Sequence, residues 1–186
     1  MIDRQQIKEL VPCLNLDPAH LPVLAGLWHM DGATARHDAV AWGYAKEAAK
    51  RGVEIHQLTE VQDFVTEKNQ VTAVKTNRGS SKCGCVVQAI AGASSILMNK
   101  LHIKSPIHTF PLQAMVSQPF KPFINPLVSS SALHCYVQQT SRGEIVFGGG
   151  SDPYPLYNTR STLDLKESLL AHATEMFPFM ANVKLM

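Results

Sequence analysis

No apolar run in the chain approaches the ~20 residues that a helix needs to cross a bilayer. The opening stretch, MIDRQQIKEL, has no basic-then-apolar signal pattern. Both absences point to the cytoplasm and away from a membrane. Four cysteines, Cys13, Cys83, Cys85 and Cys135, stand at spacings that build no disulfide framework, so reduced thiols are expected. No metal site is expected either. Cys83-Gly84-Cys85 offers two thiols, and neither a His-x3-His pair nor a second cysteine pair stands at zinc spacing. Charge of one sign is scarce: 17 lysines and arginines against 15 acidic residues leave +2. The cations are scattered rather than gathered into the stripe that counterion release on nucleic acid requires, which excludes nucleic acid as a partner. Two catalytic signatures are also missing. Ser94 and Ser95 follow a glycine but form no G-x-S-x-G elbow, which leaves acyl transfer without support. Nor is there a G-x-G-x-x-G turn. Gly148-Gly149-Gly150 follows a strand pattern but runs toward Pro153 and Pro155, not into a helix. Internal repeats and low-complexity tracts are absent.

What is present suits a globular chain of one domain or one and a half, with 186 residues and 45% hydrophobic content. Ile7 and Leu10 among polar neighbours, closed by Pro12, predict a short helix over 2–10. The Pro- and Gly-rich stretch from Leu14 to Ala33 predicts loop, with a short extended piece around 24–29. A helix over 36–51 is the best-marked element. Val40, Ala41, Tyr44, Ala45 and Ala48 make one apolar face, Asp38 opens it, Lys50 and Arg51 close it, and Gly52 stops it. VEIHQL (53–58) then alternates as a strand. The runs 61–66 and 71–76 predict a β-hairpin. Cys85 to Ala91 is apolar without alternation, as expected of a strand buried on both faces. Its end in Gly92 and small residues suits close approach of backbone to a ligand. A short helix is expected over 94–101.

The second half changes character. HTFPLQAMVSQPF and LHCYVQQTSRGEIVFGGG predict long antiparallel strands with TSRG as a hairpin turn. Leu163, Leu169, Leu170, Ala173 and Phe177 predict a helix capped by Ser161 or Thr162 and ended by Pro178. ANVKLM looks like the opening of a further strand. The fold class expected is α+β: a partial α/β layer joined to an antiparallel sheet with packed helices. The division expected is 1–104 for the first part and 105–186 for the second, with interleaving of the two left open.

Several segments, in order, resemble β subunits of the heterotetrameric sarcosine oxidases, within the family of FAD-dependent amine and D-amino-acid oxidoreductases. They are GATARHDAVAWGYAKEAAKRGVEI, VTAVKTNRG, VVQAIAGASS, FPLQAMVSQPFKP, LHCYV, GEIVFGGGSDPY and MFPFMANVKLM. The resemblance runs over essentially the whole chain, and TARHDAVAWGYA is its most specific piece. It implies an internal piece of such a subunit, without the dinucleotide-binding turn with which the family opens; its α/β layer would then be a partial FAD-binding layer and its antiparallel sheet the substrate-domain sheet. The family oxidises the N-methyl amine of sarcosine through FAD and FMN, yielding glycine, a one-carbon unit and hydrogen peroxide.

Site residues follow from that resemblance. His37 stands where the family carries FMN covalently on a histidine, at the contact with a large α-type subunit. A neutral imidazole nitrogen is a competent nucleophile toward an oxidised flavin's activated methyl carbon. Its plain alternative is a capping or solvated histidine. Val61 matches the strand that offers backbone to the FAD adenine, and Ala91 and Gly92 match a turn facing the cofactor. Ordinary core strand and turn are the alternatives. His134 and Tyr136, two apart on one strand, are expected to share a face that lines the substrate cavity, or simply to face solvent. Two functions remain open. One is an oxidoreductase piece that alone holds neither FAD nor FMN tightly and does not turn over sarcosine. The other is a non-catalytic module that binds a small molecule or another chain and self-associates into a homo-oligomer to cover exposed apolar surface.

Overall fold

The computed structural model describes residues 1–19 and 21–186; His20, within the expected loop, lies outside the described residues. In chain order the elements are α1 (Arg4–Leu10), α2 (His37–Lys50), β1 (Val61–Glu67), β2 (Gln70–Thr76), β3 (Gly79–Lys82) and α3 (Ser94–Lys100). They are followed by β4 (Leu112–Pro119), β5 (Val128–Ser130), β6 (Cys135–Gln139), β7 (Glu144–Ser151) and α4 (Leu163–Met176). Two compact units result, Met1–Ala33 with Phe110–Met186, and Thr34–Thr109. Mixed helices and antiparallel sheets make the fold α+β.

The first unit is built on an antiparallel sheet in the order β4-β7-β6-β5. Alternation along its strands turns Met115, Val137, Ile145 and Phe147 to one face, where Leu169, Ala173 and Met176 of α4 bury against them. Burying a side chain such as Phe147 stabilises by about 1.5–3 kcal/mol. Ile7 of α1, with Val11 and Leu14 beyond it, enters the same core, which is why the first 33 residues belong with the second half of the chain. α1 starts on a reciprocal capping box: Gln6 N donates to Asp3 Oδ1 at 2.9 Å, and Asp3 N donates to Gln6 Oε1 at 3.0 Å. The TSRG turn joins β6 to β7, with Gly143 at φ +102. Pro178 ends α4, as its spacing predicts. The expected last strand is reduced to a bridge, in which Leu185 pairs with Ser117 at the outer edge of β4.

In the Thr34–Thr109 unit, β1, β2 and β3 form an antiparallel meander. Lys68 and Asn69, both at positive φ, make the two-residue turn between the first two strands. The third strand had no signal beyond Asn77-Arg78-Gly79. α2 and α3 fall within a residue or so of their predicted bounds. Two expectations are corrected. VEIHQL forms no strand, and neither does the Cys85–Ala91 run, whose Val87 is 87% exposed rather than buried. A strand exists only through its ladder, and none of the described strands pairs with either segment. The apolar face of α2 is likewise uncovered, and none of its residues is buried.

Candidate functional site

His37 is the first residue of α2, and its side chain is exposed. Among the described residues no side chain hydrogen-bonds the ring. The helix entry beside it is fixed by charge. Arg36 Nη2 donates to Asp38 Oδ2 at 3.1 Å, and this guanidinium, helped by the Ala39 N–H, holds the Asp38 carboxyl below the usual carboxylate range. Arg36 stands at the cap position without capping through its side chain. The arrangement presents an unengaged imidazole at the positive end of a 14-residue helix. The ring is open to solvent.

Val61 opens β1 and pairs with Thr76, with an irregularity before Asp63. Asn77 clamps the peptide just before it: Glu60 N donates to Asn77 Oδ1 at 2.9 Å, and Asn77 N donates to Glu60 O at 3.1 Å. Ala91 and Gly92 make a specialised turn, a single 3-10 turn (Ala91–Ala93) leading into α3. Ala91 sits at φ +46, which costs an L-residue about 1–2 kcal/mol. A Cβ at Gly92 would lie 2.9 Å from Thr109 Cγ2, and Thr109 Oγ1 donates to Gly92 O at 2.6 Å. Gln88 Nε2 and Ser95 Oγ add bonds to Ser94 O and Ile107 O, so the turn is held from both sides. Strain at a firmly held turn is typical of ligand-facing backbone.

His134 and Tyr136 lie in the other unit. Tyr136 is half-buried on β6 and faces away from the core residues Cys135 and Val137. Its register partner across the sheet is Gly148 of β7, which in turn pairs with Ala114 of β4. The row leaves an open sheet face on which small residues stand beside one phenol. His134 is not in the strand, which corrects the expectation that strand alternation puts it on the face of Tyr136. It occupies the preceding turn at φ +46, exposed, and its carbonyl packs against Gly149.

A polar cluster escaped the sequence reading. Asp152, at the end of β7, accepts from Gln113 Nε2 at 3.0 Å and from Thr162 Oγ1 at 2.9 Å. Gln113 Nε2 also donates to Thr162 Oγ1, and Thr162 N donates to Gln113 Oε1. Gln113 and Asp152 are both buried. The available signal was Gln113 itself, a polar residue in phase with core-facing Met115 and so in need of partners.

A family model described as FAD dependent oxidoreductase matches residues 1–185, and the chain belongs to that family. It is 40% identical over 185 residues to the sarcosine oxidase subunit beta of Rhodobacter capsulatus, covering all of this chain and 45% of that protein. The subunit beta of Rhizobium meliloti is 38% identical over 186 residues, again covering the whole chain and 45% of the relative. The chain thus spans a little under half the length of these relatives. Among solved structures, L-proline dehydrogenase from P. horikoshii superposes with a TM-score of 0.86 at 29% identity, covering the whole chain and 50% of that one. Glycine oxidase from Bacillus cereus, at 20% identity and TM-score 0.78, shares the fold over the whole chain and 50% of its own.

Proposed function

We propose that the chain is a piece of a sarcosine-oxidase-type flavoprotein subunit, carrying a covalent FMN site at His37, an FAD-facing backbone at Val61 and Ala91–Gly92, and part of a substrate surface at Tyr136. The observation that carries this reading is His37: an exposed, unengaged imidazole at the start of α2, inside TARHDAV. His37 would hold FMN covalently through a ring nitrogen acting as the nucleophile. FAD, when bound, supplies a two-electron acceptor for a small secondary amino acid such as sarcosine. Val61 and the 91–92 turn would hold it by backbone, and Tyr136 would orient the substrate.

The chain by itself neither grips FAD tightly nor turns over sarcosine, because nothing in its 186 residues supplies the glycine-rich pyrophosphate turn. Its partners in the working enzyme include a large α-type subunit, and its compartment is the cytoplasm. Intact-mass analysis, with mapping of the His37 peptide after exposure to FMN and the partner subunit, tests the first claim. A flavin adduct on His37 is expected, and an unmodified peptide overturns it. A yellow protein that yields peroxide from sarcosine by itself overturns the second.

A non-catalytic, self-associating module is favoured by one specific observation, the apolar surface left bare, including Trp42 at 64% exposed. Light scattering at micromolar concentration decides it: a homodimer or larger species is expected, and a clean monomer removes this reading.

A further inference from the structure

We propose that a cavity of about 400 Å³ between α1, the 21–28 segment and the 126–133 segment binds a neutral, elongated aliphatic molecule. The volume falls in the range of small-molecule sites, about 300–1,000 Å³. At about 30 Å³ per water-sized group it holds on the order of a dozen heavy atoms. Ile7, Val11, Leu14 and Met176 line it from the buried core, and Leu24 and Leu27, 81% and 87% exposed, stand at its rim. No lysine, arginine, histidine, aspartate or glutamate lines it among the described residues. An ionised ligand would lose its hydration there without compensation. Ser130, Ser131 and Asn15 supply polar side chains at the lining and suit a neutral headgroup, whereas Ser129, the register partner of Tyr136, turns to the opposite sheet face. The wall is preformed. Arg4 Nη2 holds both Asp17 carboxylate oxygens at 2.7 Å, its Nη1 reaches Val23 O at 2.7 Å, and Ile2 and Gly26 exchange backbone hydrogen bonds at 2.9 Å. Ordering is thus already met by protein contacts, which favours binding over induced closure. Core-facing Val128 and Leu133 line the cavity, whereas Tyr136 points from the opposite sheet face, so occupation needs neither flavin nor a partner subunit.

The probe is a series of straight-chain alcohols. Trp28 lines the cavity and Trp42 lies in the other unit, so Trp42→Phe leaves Trp28 as the sole tryptophan reporter. Titration with 1-hexanol, 1-octanol and 1-decanol should give saturable Trp28 fluorescence changes, with Kd tightening about fourfold per methylene. Octanoate should bind about tenfold or more weakly than octanol. Ala132→Phe and, separately, Ala25→Phe place a ring into the cavity from exposed positions and should each weaken octanol about tenfold, with the urea midpoint unchanged. A second position keeps the test decisive if one variant does not fold. A linear, non-saturating response, equal binding of octanoate, full retention of binding in both variants, or dissociation of a dimer by octanol would each overturn the proposal.

Discussion

Replacing Asp152 by alanine tests whether the buried ring of Gln113, Asp152 and Thr162 holds α4 to its sheet. The carboxylate accepts two hydrogen bonds, at 3.0 Å from Gln113 and 2.9 Å from Thr162. Alanine removes the acceptor of both donors, the Gln113 amide buried and the Thr162 hydroxyl half-buried. Each stranded donor costs about 1–3 kcal/mol, and release of the carboxylate's own desolvation offsets part of that, leaving an expected loss of about 3 kcal/mol. Asp152→Asn keeps the shape but turns one acceptor into a donor. Whichever way the amide lies, one hydrogen is left unpaired, at a cost of about 1–2 kcal/mol. Urea unfolding in a Trp42→Phe background, followed through Trp28 in the same unit, reads both. At an m-value of about 2 kcal/mol/M, the alanine variant should lose about 1.5 M in midpoint. Because the three side chains form a closed ring, Gln113→Ala and Asp152→Ala should couple by about 1 kcal/mol or more in a double-mutant cycle. A loss below about 0.5 kcal/mol for Asp152→Ala, or strict additivity, would refute the closed ring.

Gly149→Ala and Gly143→Ala should each cost roughly 3 kcal/mol or more, since a Cβ would fall 2.1 Å from His134 O or Phe120 O and both residues sit at positive φ. Urea midpoints near wild type would contradict those approaches. Ala91→Gly should leave the Thr34–Thr109 unit unchanged or up to about 1 kcal/mol more stable, by relieving the left-handed backbone, whereas Ala91→Val should weaken it by at least as much. Unfolding followed through Trp42 in a Trp28→Phe background distinguishes the two. Burial pushes the Cys135 thiol up to about 11, so thiol reagent at pH 8 should modify exposed Cys85 in the native protein and Cys135 only after unfolding. The folded state keeps that proton longer than the unfolded state, so stability should fall as pH rises from the ordinary thiol range toward 11. Rapid native labelling of Cys135 would argue against the packed β6. Amides of 53–58 and 85–91 should exchange with solvent within seconds to minutes, while β6 and β7 are protected; protection of the first two would mean they pair.

The strands and helices whose partners lie close in sequence were legible before the structure. The 61–76 hairpin, the TSRG turn and α4 each carry their pairing or burial in their own period. The place of His37 at a helix start was legible for a different reason: the helix it opens is written locally in Asp38, Lys50 and Gly52. What could not be read depends on long-range placement. Thr162 was predicted as a helix cap, yet its hydroxyl is used by Asp152, ten residues earlier in the chain and in another element. The first 33 residues join the second half through Ile7, Val11 and Leu14, a choice no local pattern reveals. His134 illustrates the limit at a single residue: alternation predicts a shared face with Tyr136, but a left-handed backbone one step before the strand breaks the period.

The segments that disagree with their own sequence pattern share one property. VEIHQL reads as an alternating strand and the Cys85–Ala91 run as a strand buried on both faces, and α2 carries an apolar face. Yet in the Thr34–Thr109 unit the buried apolar residues among those described are Phe64 and Ala73, both in the meander. A strand pattern without a ladder and an apolar helix face without a neighbour are the same deficit expressed in two kinds of structure. Each apolar side chain left in water forgoes about 1.5–3 kcal/mol, so the deficit is a standing bias toward whatever covers it. This is the physical ground for proposing that the chain alone holds FAD poorly, because a cofactor grip built on backbone needs that backbone fixed in a ladder. The same ground supports self-association. The two readings compete for one surface, and the flavin content of His37 and the assembly state of the isolated chain tell them apart.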